Sequence, residues 1–130
     1  MIKDLVSWEL TTLTKRLERK EVSAKEAVQA YLAEIAARDG EIGAYLKVTA
    51  ETALKEAETV DELRAKGETL PRLAGVPMAI KDNICTKGIT TTCASRMLQN
   101  FIPPYSAAVV EKLQNQRAVL LGKLNMDEFA

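Results

Sequence analysis

Two short apolar runs, Gly75-Val76-Pro77-Met78-Ala79-Ile80 and Ala118-Val119-Leu120-Leu121-Gly122, bracket a stretch with helical spacing, and this order constrains the chain more than any other feature. After the break at Pro103-Pro104, Val109, Val110 and Leu113 mark a helix running to about Gln116, with Ser106 placed to cap it. Strand, helix, strand in that order is the seed of a parallel βαβ unit, so the expected fold class is α/β. Parallel strands are normally covered on both faces, and the covering helices have to come from elsewhere in the chain. Pro77 has no N–H to give to a ladder, which sends its strand to an edge or an early position.

The first 66 residues supply helices. Val6, Leu10, Leu13 and Leu17 fall at helical spacing, with Lys15, Arg16, Arg19 and Lys20 on the wet side. Ser23 with Glu26 three residues later forms a capping box. The stripe Val28, Tyr31, Leu32, Ile35 follows, and Asp39-Gly40 is the expected stop. Ala44 to Val48 reads as a short strand. Thr49 is placed to cap a third helix that runs to Lys66 and stops at Gly67. Its pairs Glu51–Lys55 and Glu62–Lys66 have the favourable i, i+4 order on a solvated face. The organisation expected is an N-terminal helical segment, 1–66, followed by the start of an α/β core, 67–130. In that core Leu70 to Arg72 is a connector and Cys85 to Thr92 a polar, threonine-rich loop. At the far end, Asn125 and Glu128 have capping-box spacing, as though a helix were opening. A two-stranded parallel seed followed by an unfinished helix is the pattern of the front part of a longer protein.

Composition narrows the chemistry. The chain is 47% hydrophobic but only 5% aromatic, so its core is expected to be aliphatic and alanine-rich. Eighteen basic and eighteen acidic residues cancel with no basic stripe, which argues against direct nucleic-acid contact by this segment. No apolar run approaches the roughly 20 residues of a membrane span, and the N-terminus lacks the apolar core of a signal peptide. Cys85 and Cys93 are too few and wrongly spaced for a zinc site and read as free thiols in a reducing, cytoplasmic setting. Histidine is absent, which removes Ser-His-Asp and Cys-His catalysis from these residues. No metal site and no glycine-rich phosphate loop is expected; Gly75 reads as a turn residue.

The residue best placed for chemistry is Lys81, directly after the apolar run in Ala79-Ile80-Lys81-Asp82-Asn83. A lysine leaving a hydrophobic strand can be desolvated, which favours its neutral amine. Half-neutrality at pH 7 requires roughly 4.6 kcal/mol of differential stabilisation. Strand alternation sends Asp82 to the other face, where it does not oppose the shift. Such an amine is a general base for a serine nucleophile. On residue type alone the other reading stands beside it: a strand-end lysine reaches out to water. Cys85 reads as an ordinary loop thiol, Met78, Met97 and Met126 as packing residues, and Ser95 and Ser106 as turn and cap residues.

The stretch Gly75 to Asn83 resembles the lysine strand of the amidase-signature family. Thr91-Thr92-Cys93-Ala94-Ser95 and Ala118 to Ala130 resemble one branch of that family, the A subunit of bacterial glutamyl-tRNA(Gln)/aspartyl-tRNA(Asn) amidotransferases. The likeness covers essentially the whole chain, and the Lys-Leu-Asn-Met-Asp-Glu-Phe-Ala ending is specific to that branch. The resemblance implies a Ser–cis-Ser–Lys triad with Lys81 as its general base. The two triad serines and the oxyanion-hole amides belong to segments that do not occur in these 130 residues. It implies glutamine as substrate, B and C subunits as partners, ATP and Mg on the B partner, and tRNA bound through the B subunit. No cofactor is expected on this chain, and the fragment alone is expected to be inactive. Two further readings stay open: a fragment of a general small-amide amidase, and a stand-alone non-enzymatic α/β interaction module.

Overall fold

The computed structural model describes residues 2–130. A 3-10 turn, Ile2–Ser7, leads into α1 (Leu10–Glu18), α2 (Ala24–Ile42), β1 (Tyr45–Val48), α3 (Ala50–Ala65), β2 (Pro77–Lys81), a second 3-10 turn (Arg96–Leu98), α4 (Ala108–Asn115) and β3 (Val119–Leu124). The strands form one mixed sheet in the order β1-β3-β2, with β3 parallel to β2 and antiparallel to β1. The βαβ unit expected from the two apolar runs is therefore present, and the Pro77 strand lies at an edge of the three.

Helix α2 begins as its sequence dictates. The Ser23 hydroxyl accepts from the Glu26 N–H at 3.0 Å, and the Glu26 carboxylate accepts from the Ser23 N–H at 2.8 Å. A second cap comes from α3: Asp61 accepts from the Ala24 and Lys25 N–H groups at 2.7 and 2.9 Å. The helix does not stop at Gly40. It continues to Ile42 and ends on Gly43, in the left-handed conformation at φ 67°. The stop is moved by Asp39, whose carboxylate accepts from the N–H groups of Ala44 and Tyr45 beyond the helix.

Other local expectations are corrected by competing partners. Thr49 precedes α3 but does not cap it; its hydroxyl donates to the Leu120 carbonyl and its N–H to the Leu121 carbonyl, both at 2.8 Å. Ser106 does not cap α4, because its hydroxyl accepts instead from the Lys87 N–H. Of the two i, i+4 pairs, Glu51–Lys55 forms at 2.8 Å and Glu62–Lys66 does not. The Asn125–Glu128 segment is a turn. Asn125 gives its side-chain N–H to the Gly43 carbonyl and accepts from the adjacent Met126 N–H, and Glu128 accepts from the Ser95 hydroxyl, so the pair does not form a capping box.

The main core lies between the sheet and the helices α2 and α3. Val119 and Leu121 of β3 pack there with Leu17, Val28, Val60, Ala74 and Val76. Ala24, Ala27, Ala53 and Ala57 are fully buried, and their small side chains let the two helices approach the sheet closely. This core draws on both 1–66 and 67–130. Gly75 sits at φ 83°, where a Cβ would come within 2.7 Å of the Ala24 Cβ, so the turn before β2 needs glycine for both conformation and space. On the opposite face Leu120 packs with Ile80 and Val110, backed by Ile84 and Ile89. Met78 and Met126 are half-buried, but Met97 is 85% exposed and packs nothing, because its 3-10 turn carries it outwards. No helix among the described residues is long and apolar enough to cross a membrane.

The pairing of β2 with β3 contains one irregularity with large consequences. Met78 pairs with Leu120 and Ala79 with Gly122, so β3 carries an extra residue at Leu121. A one-residue bulge reverses which face later side chains point to. Beyond it Lys123 is opposite Ile80 and shares the face of Leu120, where unbroken alternation would have put it with Val119 and Leu121.

Candidate active site

Lys81 closes β2, paired with Leu124 of β3, and its side chain is exposed. Among the described residues it makes no ion pair or side-chain hydrogen bond. The desolvated lysine that the sequence leads one to expect at this strand end is a different one. Lys123, at the matching end of the neighbouring strand, is 0% exposed. The correction has a simple cause: both lysines follow apolar runs, but the bulge turns Lys123 inwards while Lys81 faces out on the other side.

The Lys123 amine is enclosed by groups from the segment that leaves β2. It donates to the Ile84 carbonyl at 2.7 Å, to the Thr86 hydroxyl at 3.0 Å and to the Thr91 hydroxyl at 3.1 Å. The hydroxyl protons of Thr86 and Thr91 are themselves given to the carbonyls of Ile84 and Ile89, each at 3.1 Å. The two oxygens are therefore placed as acceptors towards the amine, and with the Ile84 carbonyl they match the three N–H bonds an ammonium can give. Burial pushes its pKa below the ordinary 10.5, and Asp82 pulls it back up.

Asp82 is 1% exposed, and its Oδ1 lies 3.6 Å from the Lys123 amine. That oxygen has no hydrogen-bond partner, while Oδ2 accepts from the N–H and hydroxyl of Thr92. Asp82 thus does leave Lys81 alone, as alternation required, because it is committed to the second lysine. The Asp82 backbone is held on both sides, by its N–H to the Leu124 carbonyl at 3.0 Å and from the Cys93 N–H at 2.9 Å.

A cleft of about 350 Å³ adjoins this cluster, lined by Lys47, Asp82, Thr90, Thr92, Ser95 and Arg96 among others. Cys93 and Ala94 at its margin are both left-handed, at φ 51° and 53°, a conformation that costs about 1–2 kcal/mol per residue with a side chain. It is held by the Cys93 N–H bond to Asp82 and by the Phe129 N–H bond to the Cys93 carbonyl. Both cysteines are free and half-buried; the Cys85 thiol lies 3.6 Å from the Tyr105 hydroxyl. Sequence reasoning singled out Lys81 and missed Lys123 and Asp82 as a pair. The available signal was a lysine within an apolar strand, Leu121-Gly122-Lys123-Leu124, and local sequence alone does not say which way it points.

The model of the Amidase family matches residues 26–130. The chain is 59% identical over 118 residues to the A subunit of the glutamyl-tRNA(Gln) amidotransferase of Moorella thermoacetica, covering 91% of this chain and 24% of that protein. It is 57% identical over 116 residues to the protein of the same name from Prochlorococcus marinus, covering 89% and 24%. Among solved structures it resembles the native peptide amidase of Stenotrophomonas maltophilia with a TM-score of 0.88 and 35% identity, covering 94% of this chain and 25% of that one. The chain spans about a quarter of the length of the curated relatives it matches. With a family model that takes in all three strands, Lys81 at the end of β2 included, and relatives alike over nine-tenths of its residues, the chain belongs to the amidase family.

Proposed function

We propose that these residues are the N-terminal part of a glutamine-hydrolysing amidotransferase subunit, with Lys81 as its general base. The observation that carries this reading is the 59% identity to the A subunit of the Moorella glutamyl-tRNA(Gln) amidotransferase, far above the likeness to the peptide amidase. In the full-length protein two serines from outside these residues complete a Ser–cis-Ser–Lys triad. The Lys81 amine takes the proton of the cis-serine, which takes that of the nucleophile as its oxygen bonds to the glutamine carboxamide carbon. The C–N bond breaks, the nitrogen leaves with the returned proton as ammonia, and water releases glutamate from the acyl-enzyme. The ammonia passes to a B subunit that holds ATP and Mg and converts Glu-tRNA(Gln) to Gln-tRNA(Gln), with a C subunit bracing the assembly. No cofactor sits on this chain, the setting is cytoplasmic, and the 130 residues alone release no ammonia.

Replacing Lys81 with alanine in the full-length protein tests this. Ammonia release from glutamine is expected to fall by about a thousandfold or more, as when one member of a unit is removed, while the B and C partners still co-purify. Near-normal ammonia release by the folded variant would remove Lys81 from the mechanism. The likeness to a peptide amidase supports a second reading, an amidase of small amides. Turnover of such amides by the full-length protein without any partner, and none of glutamine, would favour it.

A further inference from the structure

The general base proposed above has no side-chain partner among the described residues, yet the backbone on which it stands is held by a buried charge. We propose that Lys123 is a positioning residue for Lys81, fixing the exit of β2 through Asp82, Ile84, Thr86 and Thr91. This rests on the reading of Lys81 as the base.

The two lysines lie on opposite faces of the sheet, so Lys123 acts through the chain between them. Ile84 donates its N–H to the Lys81 carbonyl at 3.0 Å and receives the Lys123 amine on its own carbonyl at 2.7 Å. Asp82, next to Lys81, is fixed by backbone bonds to Leu124 and Cys93 and faces the same amine at 3.6 Å. Residues 82–84 are thus gripped from β3 at their carbonyl, amide and carboxylate groups. A buried lysine is a costly way to fill space, since an apolar side chain of similar volume serves stability equally well. An apolar side chain has no preferred direction, whereas three N–H bonds of 2.7 to 3.1 Å specify where the loop must lie. The same loop carries Thr90 and Thr92 to the cleft. The bulge at Leu121 that turns Lys123 inwards is itself clamped by Thr49, which bonds the Leu120 and Leu121 carbonyls.

The test uses the full-length protein with its partners and ammonia release from glutamine. Thr86→Val with Thr91→Val removes two of the three acceptors at nearly constant volume. We expect kcat, normalised to folded protein, to fall about ten- to hundredfold with KM within about twofold, as for a reacting group displaced by up to an ångström. Thr86→Ser with Thr91→Ser, which keeps both hydroxyls, returns kcat to within about threefold. On a Lys81→Ala background the valines change the residual rate no further. Normal kcat in the folded valine variant overturns the proposal, and so does a loss that disappears on normalisation. Should the double variant not fold, Thr91→Val alone decides on the same criteria. If Lys81→Ala itself keeps activity, the base assignment fails first and this proposal with it; if Lys81→Ala is inactive and the valine variant normal, only the positioning role is lost.

Discussion

The two faces of β3 are held by different physics. Towards α2 and α3, Val119 and Leu121 meet alanines, valines and leucines, and the contact is one of shape and volume. On the other face the apolar cover ends with Leu120, and the next inward residue, Lys123, is met by a carboxylate, two hydroxyls and a carbonyl. Dispersion and burial are non-directional, so the first face secures the helices without dictating exact geometry. Hydrogen bonds around a buried ion are directional, and the second face fixes a loop that has little regular structure of its own. The candidate base points to the first face, but the segment that follows it along the chain is held from the second, by direction.

Three tests in the full-length protein sharpen this contrast, in order of falling effect. Lys123→Met leaves Asp82 as an uncompensated buried carboxylate and should cost about 3–5 kcal/mol in denaturant unfolding. Adding Asp82→Leu should recover most of that loss. A single variant as stable as the wild type would mean that the polar face carries no such charge dependence.

On the packed face, Gly75→Ala places a Cβ against Ala24 in a left-handed turn and should cost about 2–4 kcal/mol from conformation and overpacking together. An unchanged unfolding midpoint would show that α2 gives way easily, and the tightness inferred for that face would be wrong.

The smallest effect belongs to the exposed capping box. Bonds from the Ser23 N–H and hydroxyl hold the Glu26 carboxyl below its ordinary 4.5. A carboxyl with a depressed folded pKa binds more protons when unfolded, so its contribution is present above pH 4.5 and fades as pH falls through the folded value. Wild type should therefore exceed Glu26→Gln slightly in stability at neutral pH, with the gap closing under acid. A gap that widens as the pH is lowered would contradict the cap.

The amino-acid sequence by itself determined the local elements. Ser23 and Glu26 start α2, the apolar runs become β2 and β3, and the helix between them makes the pair parallel, because periodicity and capping chemistry act within a few residues. Lys81 at the end of β2 was legible for the same reason. The tertiary structure decided what depends on partners distant in sequence. Asp61 caps α2 from 36 and 37 residues away, and Glu128 goes to Ser95, 33 residues back, rather than opening a helix. Above all it decided which lysine is dry. Ala79-Ile80-Lys81 and Leu121-Gly122-Lys123 look alike along the chain, and only the one-residue bulge, set by the pairing of β3 with β2, turns the second amine into the interior.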